Sequence, residues 1–182
     1  MADHGLCEPT VQGRKLIGAA SIQQLRMVLP RKEVLMSTPD PAHIVVGVDG
    51  SEPSQQALIW AVRHAALLGA EVDAVICWNL PAMGAGWTAY PSDWNPAADA
   101  KVLLAKTVTD VFGTEVPPTL HQFVREGNAA QVLLEETKDA ELLVVGSRGH
   151  GGFAGLLLGS VSANCAEHAK CPVVVVHGEV QK

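Results

Sequence analysis

From His43 onward the chain alternates two kinds of apolar pattern. Short runs rich in β-branched residues occupy 44–48 (Ile-Val-Val-Gly-Val), 72–78, 142–145 and 172–176 (Pro-Val-Val-Val-Val). Unbroken runs of this length read as strands buried on both faces. Residues 120–124 alternate apolar and polar, which also suits a strand. Between the strands the period becomes helical. Ala57, Ala61, Ala65 and Leu68 form one stripe. Ser51 stands where a capping residue belongs, Pro53 falls in the first turn, and Gly69 ends the helix. A second helix over 97–112 aligns Ala100, Leu103, Leu104, Thr107, Val108 and Val111, and Pro117-Pro118 breaks the pattern beyond it. A short third helix carries Ala129, Val132, Leu133 and Glu136 after Gly127-Asn128, and a fourth covers 159–169.

The order is βαβαβαβαβ. Strands separated by helices predict an α/β fold, an open five-stranded, mostly parallel sheet with helices on both faces. The pattern by itself leaves strand order open. Residues 79–96 form a longer loop rich in Pro, Gly and Trp, and its Trp87 and Trp94 are expected to cover an edge of the core. Residues 1–40 differ from the rest. Five basic residues stand against four acidic ones, a net of +1, which leaves −7 for 41–182. Residues 1–40 read as a poorly ordered N-terminal extension ahead of a domain over 41–179, and Met36 also suits the start of such a domain.

Apolar content of 48% fits a globular protein, and no apolar run reaches the roughly 18 residues that span a bilayer. A net charge of −6 argues against a nucleic-acid partner. The four cysteines, Cys7, Cys77, Cys165 and Cys171, form no CxxC pair and read as buried free thiols of a reducing cytoplasm.

Two segments carry candidate chemistry. One is Asp49-Gly50-Ser51, at the end of the first strand. The other is the glycine-rich stretch 146–160, between the fourth strand and the fourth helix. Glycine permits close backbone approach, and the free N–H groups of the following helix favour an anion. Ligands in open parallel sheets sit beyond the carboxyl ends of strands where strand order reverses, and both segments lie at such ends. The stretch has no Walker A lysine, and it does not follow the first strand as a dinucleotide fingerprint does. Its spacing is Gly146, two residues, Gly149, nine residues, then Gly159-Ser160. These features point to a bound nucleotide.

That spacing resembles the ATP-binding signature of the universal stress protein family. Ile44-Val-Val-Gly-Val-Asp-Gly-Ser51, Leu143-Val-Val-Gly-Ser-Arg-Gly-His-Gly151, Leu157-Leu-Gly-Ser-Val-Ser162 and Cys171-Pro-Val-Val-Val-Val176 carry the resemblance across residues 42–178. It implies strand order 3-2-1-4-5 and a homodimer paired through the Val173–Val176 strand. It implies ATP as ligand, accompanied by Mg²⁺. Asp49 then accepts from ribose hydroxyls or the adenine side, the backbone of Trp78 meets the adenine edge, and Gly146 lies against the ribose. Gly149, Gly159, Ser160 and Val161 give backbone N–H groups to the phosphates, with the Ser160 hydroxyl and Ser162 beside them. Arg148 is divided between solvent and phosphate. Ser160 also suits an N-cap, and a Cβ at 149 or 159 would collide with phosphate oxygens.

No catalytic set accompanies these residues. No Gly-x-Ser-x-Gly elbow is present, and no carboxylate near the glycine loop stands ready as a base. The expectation is a nucleotide-responsive regulatory protein of the stress response without efficient catalysis. A slow Mg²⁺-dependent ATPase, an adenylate-using enzyme and a cyclic AMP-binding module are the alternatives.

Overall fold

The structure is a computed structural model and describes residues 41–80, 93–150 and 157–178. All of these lie within the compact unit Pro39–Lys182. The expectations for residues 1–40 and for Trp87 and Cys7 fall outside the described residues.

The elements run β1 (His43–Gly47), α1 (Glu52–Leu68), β2 (Glu71–Trp78), α2 (Pro96–Phe112), β3 (Leu120–Glu126), α3 (Ala129–Glu136), β4 (Leu142–Gly146), α4 (Ser160–His168) and β5 (Val173–Val176). The five strands form one parallel sheet in the order β3-β2-β1-β4-β5. The expected α/β class is therefore observed, with the implied strand order.

Strand parity divides the core. Ile44 and Val46 point to one face, where they pack with Val72, Ala74, Leu58 and Leu104 beneath α1 and α2. Val45 points to the other and packs with Val75, Leu133, Leu143, Val145 and Cys165 beneath α3 and α4. Each valine, leucine or isoleucine among them, fully buried, contributes about 2 kcal/mol relative to exposure. Burial on both sides is why the strands read as continuous apolar runs.

The helix ends follow local chemistry. Gly69 closes α1 in the left-handed region at φ 66°, its N–H donating to the Ala65 carbonyl. Asn128 caps α3 by accepting from the N–H groups of Ala130 and Gln131. The α1 stripe needs one correction: Ala57, Ala61 and Ala65 are buried, but Leu68 is 65% exposed. The last turn of α1 stands clear of the sheet, and Leu58 fills the core instead. The thiols need another. Cys165 is buried, whereas Cys77 and Cys171 are only half-buried; all three are free. Among the described residues no helix is long and apolar enough to cross a membrane.

The topology sets the site. From β1 the chain turns to α1 on one face, and from the neighbouring β4 it turns to α4 on the other. The two loops diverge at the carboxyl edge of adjacent strands and leave a crevice between them.

Candidate functional site

A cleft of about 370 Å³ occupies that crevice. Eight of the nine candidate residues line it: Asp49, Gly146, Arg148, Gly149, Gly159, Ser160, Val161 and Ser162. Trp78 does not. On β2, Val75 and Cys77 face the cleft, so the next residue faces the α1/α2 side, where Trp78 packs against the core. The Trp78 carbonyl is also occupied, accepting from the Gly127 N–H at 2.8 Å.

The first loop is fastened by its own polar groups. Asp49 Oδ1 accepts from the Ser51 N–H at 3.0 Å and from the Ser51 hydroxyl at 2.5 Å. Ser51 sits at the N-cap of α1, but its hydroxyl turns back to Asp49 and makes no side-chain cap bond. The Ser54 hydroxyl donates to the Ser51 carbonyl at 2.8 Å and meets the Asp49 N–H at 3.4 Å. One carboxylate oxygen of Asp49 is thus committed, and Oδ2 lies against Gly149.

The second loop is fastened in the same manner. The Gly159 N–H donates to the Ser147 carbonyl at 2.7 Å. The buried Ser162 hydroxyl lies 2.9 Å from that carbonyl and 3.0 Å from the Gly159 carbonyl. Two expected phosphate donors are therefore taken inside the protein: the N–H of Gly159 and the hydroxyl of Ser162. Gly159, and not Ser160, is the N-cap of α4. The first ladder bond runs from the Ala163 N–H to the Gly159 carbonyl. The N–H groups of Ser160, Val161 and Ser162 precede that bond and have no partner within the helix. Ser160 is exposed, so its hydroxyl is available beside them.

The glycines divide by cause. A Cβ on Gly146 would come within 2.8 Å of Pro53 C and Ser54 N, so β4 needs glycine there to let α1 approach. A Cβ on Gly149 would overlap Asp49 Oδ2. The reason for glycine at 149 thus lies within the protein, not in phosphate alone. Gly159 differs: its φ is −75°, and a Cβ there would find nothing closer than 3.5 Å.

The far end of the cleft is apolar, built from Val48, Val75, Cys77, Ala129, Leu133 and Val145. The sequence reading missed this end, although β2 parity marks Val75 and Cys77. Arg125 holds α3 over it by donating to Glu136 from Nε at 2.7 Å and from Nη2 at 3.2 Å. That bonding raises the Arg125 pKa. Burial, with smaller contributions from Glu136 and Cys165, pushes the Cys77 thiol up to about 11. Cys77 therefore presents a neutral thiol to the cleft at neutral pH. Among the described residues, Asp49, Arg148 and His150 are the charged or imidazole side chains that line the cleft. Among the described residues, no three His, Cys, Asp or Glu side chains group to hold a metal.

An apolar slot, a fixed carboxylate and a helix start with free N–H groups suit a ligand with a flat apolar part, hydroxyls and an anionic end.

Residues 42–177 match the model of the Universal stress protein family. A universal stress protein of Mycolicibacterium smegmatis is 33% identical over 173 residues, covering 90% of this chain and 57% of that protein. The chain spans about half the length of the curated relatives it matches. Among solved structures, a universal stress protein in complex with cAMP is 29% identical with a TM-score of 0.56, covering 75% of this chain and 97% of that one. A universal stress protein from Archaeoglobus fulgidus in complex with dAMP is 25% identical with a TM-score of 0.51, covering 74% of this chain and 97% of that one.

Proposed function

The chain belongs to the universal stress protein family, and we propose that its cleft binds an adenine nucleotide, with ATP accompanied by Mg²⁺ as the preferred ligand. One observation carries this reading: the start of α4, with three N–H groups that have no partner within the helix, lies with the fixed carboxylate of Asp49 on a cleft whose far end is apolar. The apolar end takes the base, Asp49 the ribose, and the N–H groups of Ser160, Val161 and Ser162 take the phosphates, with the Ser160 hydroxyl and Arg148 beside them. Mg²⁺ enters on the phosphates; no protein ligand is assigned to it.

Binding here serves regulation in the stress response, not turnover. Among the described residues Asp49 is the only carboxylate lining the cleft, and one of its oxygens is held by Ser51. An attacking water has no base at the phosphate end. ATP acts by shifting an equilibrium between states for which its affinities differ. The state we assign is a homodimer through β5, whose valines are only half-buried in the single chain and whose outer edge is unpaired among the described strands. A single sedimenting species of one chain's mass, with and without ATP, would overturn the dimer.

Cyclic AMP is the second reading, favoured by the relative solved with cAMP. Calorimetric titration with ATP, ADP and cyclic AMP, in wild type and Ser160→Pro, separates the two. Proline suits the first helical position, so α4 persists while one N–H and the hydroxyl are lost. ATP binding weakened at least tenfold in the variant supports phosphate at α4. Tight cyclic AMP binding with weak ATP binding supports the second reading, and no heat with any nucleotide overturns both.

A further inference from the structure

Glu136 is a carboxylate on an otherwise apolar stripe. Ala129, Leu133 and Glu136 follow the i, i+4, i+7 spacing of one helix face on α3. Ala129 and Leu133 line the apolar end of the cleft. Leu133 is buried, and its Cδ1 lies 2.9 Å from where a Cβ on Gly47 would stand, so α3 rests closely on β1. The helix itself gains nothing from a carboxylate in its last turn, where its dipole is negative and no basic residue stands. The partner comes from β3. Arg125 stands beside Cys77 in the register of β3 and β2, and it does not itself line the cleft. Its guanidinium carbon lies 4.8 Å from the Phe123 ring centroid, and it donates to both carboxylate oxygens of Glu136. The fork is thus seated on an aromatic face and closed by the end of α3. With eight residues, α3 is too short to be held in place by helix formation alone. Asn128 caps its start, and the Arg125 fork ties its end.

We propose, resting on the nucleotide reading above, that Arg125 and Glu136 are positioning residues for the base: the pair fixes α3 so that Ala129 and Leu133 form a firm wall against a planar heteroaromatic ring. Neither side chain is itself a ligand contact. A flat ring depends on such a wall, because a gap of about 1 Å forfeits up to about half of each dispersion contact. The phosphate donors begin α4, which the Ser147 carbonyl fastens through Gly159 and Ser162 without this pair. A loosened α3 therefore weakens the base end and spares the anionic end. Both side chains are partly exposed, so the loss of affinity is modest, about threefold to tenfold.

The test is calorimetric titration with ATP and with inorganic tripolyphosphate, which carries the anionic end without a base, at fixed Mg²⁺ and salt and well below each protein's melting temperature. Wild type is compared with Arg125→Met, which keeps an unbranched stem over Phe123, with Glu136→Gln, and with the exchanged double variant Arg125→Glu, Glu136→Arg. The expected result is weaker ATP binding in Arg125→Met, a smaller loss in Glu136→Gln, and part of the loss recovered by the exchange. Tripolyphosphate should bind all four proteins alike. Unchanged ATP binding in both Arg125→Met and Glu136→Gln overturns this inference and leaves the nucleotide reading standing. So does an equal loss of ATP and tripolyphosphate, the mark of a missing positive charge or a general loosening of the fold. No ATP binding by the wild type overturns both.

Discussion

Asp49 Oδ2 occupies the place a Cβ would take on Gly149, so the two loops that flank the cleft meet where a carboxylate rests on a glycine. Neither side can readily yield. Asp49 Oδ1 is bound to the N–H and hydroxyl of Ser51, and Ser51 begins α1. Gly149→Ala should therefore disturb the protein without any ligand. We expect a loss of about 1–3 kcal/mol, typical of overpacking against a fixed neighbour. Adding Asp49→Ala removes the opposing oxygen and should recover much of that loss. Denaturant unfolding of the two single variants and the double variant measures the coupling. Additive effects would show that the loops do not press on one another.

Gly159→Ala should behave in the opposite way. The backbone there is one that any residue adopts, and the added methyl meets only ordinary contacts. The stability change should stay within about 0.5 kcal/mol, as at an unexceptional site. On the proposed nucleotide reading, any demand for glycine at 159 comes from a bound phosphate, so ATP affinity should fall while the melting temperature holds. A melting temperature lowered by many degrees would instead place the demand in the fold.

The contrast between these glycines shows where sequence reading stops. Periodicity located every strand and helix to within one or two residues at most ends, because burial on both faces imposes unbroken apolar runs and one-sided burial imposes helical stripes. Leu68 escaped, since a stripe cannot tell where a helix outruns the sheet beneath it. The spacing of Gly146, Gly149 and Gly159 marked the loop but not the separate reason for each glycine, which depends on contacts with Asp49 and Pro53 far away in sequence. Donor availability is hidden from the sequence in the same way. The Gly159 N–H and the Ser162 hydroxyl look like phosphate donors until the Ser147 carbonyl is seen to hold both. The apolar end of the cleft, with Cys77 and Leu133, joins residues from β2 and α3 that only the sheet brings together.

Ser162→Ala tests the fastening of the second loop. The hydroxyl is buried and reaches the carbonyls of both Ser147 and Gly159. Its removal should cost about 1–2 kcal/mol, the range for a buried hydrogen bond whose partner stays behind. If Ser162 holds the loop and donates nothing to phosphate, loop disorder should weaken ATP, ADP and cyclic AMP by a similar factor. A loss confined to ATP and ADP would return the hydroxyl to the list of phosphate donors.

Cys77 offers a readout of cleft occupancy that needs no substitution. Burial, the Glu136 carboxylate and neighbouring Cys165 push its thiol up to about 11, and burial pushes Cys165 to about 11 as well. Only the thiolate attacks an alkylating agent, so both thiols should react slowly at neutral pH. The Cys77 rate should climb about tenfold per pH unit towards that value. Access then separates them. Cys77 lines the cleft wall, whereas Cys165 is sealed in the core beneath α4. Iodoacetamide labelling followed by peptide mass spectrometry should show Cys77 labelled in the free protein and protected by saturating nucleotide, with Cys165 unlabelled in both. Equal Cys77 labelling with and without a nucleotide that binds would mean that the base does not enter the apolar end, and the ligand would have to lie along the two loops alone.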